Sequence, residues 1–404
     1  MNIWIVAITD FPEGRGATPR IRNIGTGLVE LGHTVHLQII HAAGYISKNQ
    51  VMSPKGNYKG ILFDYLPESA VRPKSELLLI FFKLLSNIKL AWRFSTGKKP
   101  DAIWFYSYSL IDTGLLFFLS KISGTLTVLD VCDERFDIHA LGHYRSFFRN
   151  INAWQSKISD QVFFKWVDGF AVVSKYLENK ILHLNQNQPI LSLPLVANIE
   201  TSDSHINSTQ NQNITAAYLG SFTADEGLEF LIDVISKIKN EYPFFTCTLY
   251  GAANQIEYEI KLRSLIKDSG LEQTIIMAGM LSYREIIPAL RGHSILLLPR
   301  LDSIISKAGF PGKLSEYIGS KRPIIATPFG DLKHYFTDKE SAFISRSFTK
   351  EDYITALTEA MEDQEKSKRI ALKAHEIGFR LFHYTSVAKQ IEEFLSVLAK
   401  KKAD

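Results

Sequence analysis

Short runs of apolar residues alternate along the chain with longer stretches in which apolar positions recur every three or four residues. Ile3 to Ile8 reads as a buried strand, the spacing from about Arg20 to Leu31 predicts a helix, and His33 to Ile40 predicts a second strand. Further strands are predicted at Ile61 to Tyr65, Ala102 to Tyr106, Leu126 to Asp130, Gly169 to Val173 and Leu191 to Val196. Strands separated by helix-length segments imply a parallel sheet with crossover helices. The cadence then breaks at Asn198 to Asn213, a polar stretch of Ser, Thr, Asn and Gln that reads as a linker.

Beyond it the cadence restarts. Strands are expected at Ala216 to Leu219, Phe245 to Tyr250, Ile275 to Ala278, Ser294 to Leu298 and Pro323 to Ala326, with helices at Gly227 to Asn240, Glu257 to Ser269, Tyr283 to Leu290 and 313 to 319. Helical pattern from Lys350 to Glu362 and from about Glu365 to Leu398 ends the chain without another strand. The expectation is an α/β protein of two doubly wound domains, 1–195 and 214–380, joined by a linker at 196–213. A terminal helix over about 381–404 would pack back on the first domain. Ligands of doubly wound sheets bind outside the carboxyl ends of the strands, so a cleft between the domains is the expected active site.

Composition narrows the function classes. The 46 basic and 42 acidic side chains leave a charge of +4, too mild for a nucleic-acid partner without a basic run. Two cysteines, Cys132 and Cys247, support neither a disulfide framework nor a zinc site. The first eight residues lack a basic leader, and a cytoplasmic location is expected. The greasiest stretch, Leu77 to Trp92, is interrupted by Lys83, Asn87 and Lys89 and falls short of the roughly 20 apolar residues of a spanning helix. It reads as a core helix or as one that lies on a membrane surface, as does the aromatic and basic segment His143 to Trp166.

The strongest local signal is the run from Ala308 to Thr327, in which a Gly/Pro turn opens a helix near Gly312 and hands over to a strand at Pro323. Free amides at a helix start suit a phosphate, and Lys313 in that first turn carries a charge the helix dipole disfavours unless an anion lies nearby. Glu316 stands one turn on, where a carboxylate can accept two hydrogen bonds from vicinal sugar hydroxyls or simply complement the dipole.

The segment Pro311-Gly-Lys-Leu-Ser-Glu-Tyr-Ile-Gly-Ser-Lys-Arg-Pro resembles the donor site of family-4 glycosyltransferases of the GT-B fold, two Rossmann-like domains facing across a cleft. The Gly14-Arg-Gly-Ala17 loop with Glu30-Leu-Gly-His-Thr-Val35, the segment Phe170 to Leu177, and Tyr218-Leu-Gly-Ser-Phe222 with Glu226 to Leu231 are similar to other parts of that family, in the same order. The resemblance implies that Glu316 holds the nucleotide ribose. It also implies that Gly16 lets backbone approach the diphosphate or sugar, and that Gly312, Lys313 and Leu314 form the turn facing it. Two departures stand out: Ala308 replaces the first glutamate of the family's Glu-x7-Glu pair, and Ser221 and Glu226 replace its diphosphate-neutralising Arg and Lys.

With those cations gone and no Asp-x-Asp metal motif, Arg300, Lys307 and Lys313 are the candidates for leaving-group charge, with Arg15 or Arg20 from the opposite loop. On the acceptor side, Asp133 is the candidate base. Asp130, Glu134, Arg135 and His139, with His143, are the candidate acceptor contacts. The expected function is metal-independent, retaining transfer from a nucleotide-diphosphate sugar to a glycan or lipid-linked acceptor, in surface polysaccharide or glycoconjugate synthesis. No cofactor is expected. A nucleotide-sugar epimerase and a degenerate scaffold that binds a partner glycosyltransferase are the rival readings.

Overall fold

The computed structural model describes residues 1–14, 16–44, 53–73, 75–134, 147–184, 187–200 and 214–403. The chain divides into two compact units, Met1–Ala197 with His383–Asp404, and Asn198–Phe382.

The first unit carries β1 (Asn2–Ala7), α1 (Ala17–Glu30), β2 (Thr34–Ile39), β3 (Lys55–Tyr58), β4 (Ile61–Tyr65), α2 (Glu76–Thr96), β5 (Ala102–Phe105), α3 (Leu110–Ile122), β6 (Leu126–Val131), α4 (Phe147–Trp166), β7 (Gly169–Val172), α5 (Lys175–Leu184) and β8 (Ile190–Ser192). Its strands lie in the order β3-β4-β2-β1-β5-β6-β7-β8. All pairings are parallel except the β3–β4 hairpin. The apolar runs of β1 from Ile3 onward, of β5 and of β7 are buried on both faces, as a sheet with crossover helices on both faces requires.

The second unit carries β9 (Thr215–Leu219), α6 (Leu228–Ile238), β10 (Thr246–Tyr250), α7 (Ile256–Asp268), β11 (Ile275–Gly279), α8 (Tyr283–Arg291), β12 (Ile295–Leu298), α9 (Ile304–Ala308), α10 (Leu314–Ser320), β13 (Ile324–Ala326), α11 (Leu332–Tyr335), β14 (Phe343–Ile344), α12 (Lys350–Glu362) and α13 (Gln364–Phe382). Its six strands are parallel in the order β11-β10-β9-β12-β13-β14. Apolar side chains of α6, such as Leu231, Ile232 and Ile235, fill the core over β9 and β10, as their helical spacing predicts.

The helical pattern after Glu365 is two helices rather than one. At His383 the backbone pairs with Ala197, whose carbonyl accepts from the Tyr384 N–H at 2.9 Å. The chain thus leaves the second unit at Phe382, and α14 (Tyr384–Ala403) packs in the first unit. There the Tyr384 hydroxyl donates to Glu30 at 2.9 Å and His33 meets Glu392 at 3.0 Å, while Val387, Ile391 and Leu395 join the core.

Candidate active site

In both sheets the strand order reverses beside the first strand, at β1/β5 and at β9/β12. Loops leaving the carboxyl ends of two strands there diverge to opposite faces and leave a crevice. In the second unit β9 and β12 pair only at Ile295 with Ala216 and Leu296 with Ala217. Further along they splay, and Tyr317 of α10 fills the gap. Its buried hydroxyl accepts from the Leu219 N–H at 2.9 Å and donates to the Leu297 carbonyl at 3.0 Å. The tyrosine replaces one missing ladder step and fixes α10 at the mouth of the crevice.

Three ionised side chains converge on that mouth. Lys313, capping α10, sends its Nζ to the Glu226 carboxylate and, at 2.9 Å, to the Tyr218 hydroxyl. The ammonium lies over the Tyr218 ring, 4.3 Å from its centroid. Arg300, in the loop after β12, places Nε 3.7 Å from the other oxygen of Glu226 and its guanidinium carbon 5.4 Å from the Phe329 centroid. The Tyr218 proton is shared between the Ser221 carbonyl at 2.9 Å and Glu226 at 3.2 Å. Burial pushes the Glu226 carboxyl up, but Lys313 and Arg300 outweigh it and hold the group below the usual glutamate range, so it is ionised at neutral pH. Two buried cations therefore share one carboxylate. Among the described residues the buried Arg300 Nε has no partner within hydrogen-bond distance, and Glu226 is the carboxylate it faces.

Glycine makes this packing feasible at two positions. Gly220 has φ of 151°, and a Cβ there would stand 2.4 Å from Lys313 Nζ. Gly227, at φ 75°, brings the loop so close to β12 that a Cβ would meet the Pro299 carbonyl oxygen at 1.9 Å.

The other donor-side candidates divide. Glu316 lies on the first turn of α10, takes a 2.7 Å hydrogen bond from the Ser315 hydroxyl, and stands near enough to favour the Lys313 charge. Helix α10 opens at Leu314 rather than Gly312. The amides of Leu314 and Ser315 bond back to the carbonyls of Pro311 and Gly312, both at 3.0 Å, which tightens the turn. Gly312 faces open space, with nothing within 4 Å of where a Cβ would stand. Lys307 pairs with Asp302 at 2.8 Å, both side chains 49 % exposed, and does not join the Arg300–Glu226–Lys313 group. The conflict between Lys313 and the helix dipole is met by Glu226 from within the protein. Ala308 is fully buried at the end of α9.

In the first unit Gly16 caps α1 at φ 59°, a backbone conformation that favours glycine. Arg20 grips Asp130 through two hydrogen bonds, at 3.0 and 2.9 Å. Trp104 Nε1 donates to the same carboxylate at 3.1 Å and the Cys132 thiol at 3.3 Å. Asp130 is only 2 % exposed and holds Arg20 in place, rather than standing at an open edge. Asp133 is exposed on the loop beyond β6, while Glu134 is ion-paired with Lys180 of α5. Both line a small cavity with Tyr108, Asp160 and Lys180. Arg15, Arg135, His139 and His143 lie outside the described residues.

Sequence reasoning did not assign Tyr218, Glu226 or Tyr317 a place in the site. Glu226 carried a signal, an acid where the resembled family has a cation. Its meaning needed the Lys313 partner 87 positions away.

Residues 200–376 match the family model of glycosyl transferases group 1. No curated protein sequence matches the chain. Among solved structures it is similar to sucrose-phosphate synthase from Thermosynechococcus elongatus, with a TM-score of 0.75 at 12% identity over 99% of both chains. It is similar also to the catalytic domain of starch synthase IV from Arabidopsis thaliana bound to ADP and acarbose, at TM-score 0.69 and 13% identity over 99% of both. Anabaena HepE in complex with UDP and glucose matches at TM-score 0.67 and 15% identity, over 98% of this chain and 99% of that one. At such identities these likenesses speak for the fold, and the family match for the second unit. The chain therefore has the GT-B fold of these glycosyltransferases, and its residues 200–376 match glycosyl transferases group 1.

Proposed function

We propose that the protein transfers a sugar from a nucleoside-diphosphate sugar to a glycan or lipid-linked acceptor, with retention of anomeric configuration, in the manner of family-4 glycosyltransferases. The observation that carries the reading is the buried Arg300–Glu226–Lys313 group at the carboxyl ends of β9 and β12. Two cations tied to one carboxylate leave a surplus positive charge for the diphosphate that departs as the glycosidic bond breaks. Glu316, on the first turn of α10, is the proposed acceptor for the ribose hydroxyls, and the open space at Gly312 is compatible with backbone approach. Solved relatives hold UDP or ADP on the same fold, which supports a nucleoside-diphosphate donor.

On the acceptor side the exposed Asp133 is the candidate base, with Glu134 beside it. Asp130 serves as the anchor of Arg20 rather than as an acceptor contact.

The test is hydrolysis of a panel of nucleotide sugars, followed as released nucleoside diphosphate. One donor is expected to be cleaved, with Glu316→Ala binding its nucleotide about tenfold more weakly, as the loss of a charged hydrogen-bond acceptor implies. Release from none of the panel, with no nucleotide shifting the melting temperature, would contradict the reading and favour a scaffold.

A further inference from the structure

Helix α2 buries one face, through Leu79, Leu90 and Phe94, and leaves the other bare. Leu77, Phe81, Leu84, Ile88 and Trp92 recur at helical spacing along its outer side, each between 47 and 69 % exposed. Helix α3 packs alongside and presents a second row, Leu115, Phe118 and Ile122, with Ile122 84 % exposed. Asn87 locks the two helices together. Its amide donates to the Leu110 and Ile111 carbonyls at 3.2 and 2.9 Å and its carbonyl accepts from the Leu115 N–H at 3.0 Å. The rows therefore form one fixed apolar face, about 22 Å long at 1.5 Å per residue from Leu77 to Trp92. A contiguous patch of this extent on a folded domain marks an interaction surface.

Charge indicates what covers it. Between Leu77 and Lys99 there is no Asp or Glu, and the one acid of α3, Asp112, is buried and faces Lys83 at 3.6 Å. Because β5, β6 and β7 are parallel, the helices that precede them, α2, α3 and α4, all end at the same edge of the sheet. That edge gathers Lys98 and Lys99 after α2, Lys121 on α3 and Lys165 on α4, together with the exposed rings of Trp92 and Trp166. Asp101 and Asp168 stand among them, four lysines to two aspartates, with Lys121 paired to Asp168 at 2.7 Å. A second copy of the chain would bring the same apolar rows and no acid to meet these lysines. An anionic lipid surface supplies both hydrocarbon and negative charge, and tryptophans at the rim suit its interface.

We infer that the outer face of α2 and α3 lies flat on an anionic bilayer, apolar rows in the headgroup boundary and the lysine-rich edge against lipid phosphates. The inference does not depend on the donor site. No helix among the described residues is long and apolar enough to cross a membrane, so the contact is peripheral.

The experiment is co-sedimentation of the whole chain with vesicles of phosphatidylcholine alone and of phosphatidylcholine mixed with phosphatidylglycerol. Binding is expected to the mixed vesicles and to weaken with added salt. Phe81→Glu with Ile88→Glu is expected to reduce it at least about tenfold at an unchanged melting temperature, both side chains being exposed already. Lys98→Gln with Lys99→Gln is expected to reduce binding to the mixed vesicles about tenfold or more, at roughly 1 kcal/mol per lysine. Three results would overturn the proposal: no binding to either vesicle, equal binding by the Phe81/Ile88 variant, or a dimer in solution that this variant splits. Nucleotide release from a donor in vesicle-free solution tests the proposed function separately.

Discussion

The two switch points of the chain handle buried charge in opposite ways. In the first unit one arginine meets one carboxylate: Arg20 and Asp130 are joined by two hydrogen bonds, and Trp104 and Cys132 fill the remaining acceptor positions. In the second, Arg300 and Lys313 share the single carboxylate of Glu226. A closed pair is a structural tie, because its charges are already matched. A group of two cations and one anion keeps a surplus positive charge, which is what the proposed diphosphate would meet. The stoichiometry of charge, rather than its presence, separates the two.

The largest expected effect breaks the closed pair. Asp130→Ala leaves the Arg20 guanidinium buried and unpaired and should destabilise the protein by about 3–5 kcal/mol, read as a shift in the urea midpoint. A loss below about 1 kcal/mol would mean that Arg20 is free to do other work. Next comes the tyrosine that holds the open site. Tyr317→Phe leaves the Leu219 amide and the Leu297 carbonyl unsatisfied in the core and should cost about 1–3 kcal/mol in the same measurement. Smallest is Glu226→Gln, which removes the competing anion. It should tighten binding of a nucleoside diphosphate several-fold by calorimetry, while the melting temperature of the free protein falls because the two cations lose their shared counter-ion.

The strand and helix cadence was legible because both sheets are buried on two faces and their strands are near-continuous apolar runs, such as Ile295–Leu298. Short elements escaped notice: β14 has two residues and α9 five, too few to show a period. The break between α13 and α14 at His383 was invisible because both helices continue the same apolar spacing and the interruption comes from a backbone contact with Ala197. At the site, Gly312, Lys313 and Glu316 could be named from a local run. The pairing of Lys313 with Glu226 depends on residues far apart in the chain and was registered only as a missing cation. Asp130 was legible as an acid at a strand end, but its partner Arg20 lies 110 positions earlier, so its engagement was not.

The central claim is that Arg300 and Lys313 serve a diphosphate. It is tested most directly by titrating wild type, Arg300→Ala and Lys313→Ala with a nucleoside diphosphate and with the bare nucleoside. The ratio of the two affinities isolates the diphosphate. The account predicts a large ratio in the wild type that falls at least about tenfold in each variant, with nucleoside affinity little changed, since each variant loses a charged contact. A ratio that both variants leave intact would contradict it.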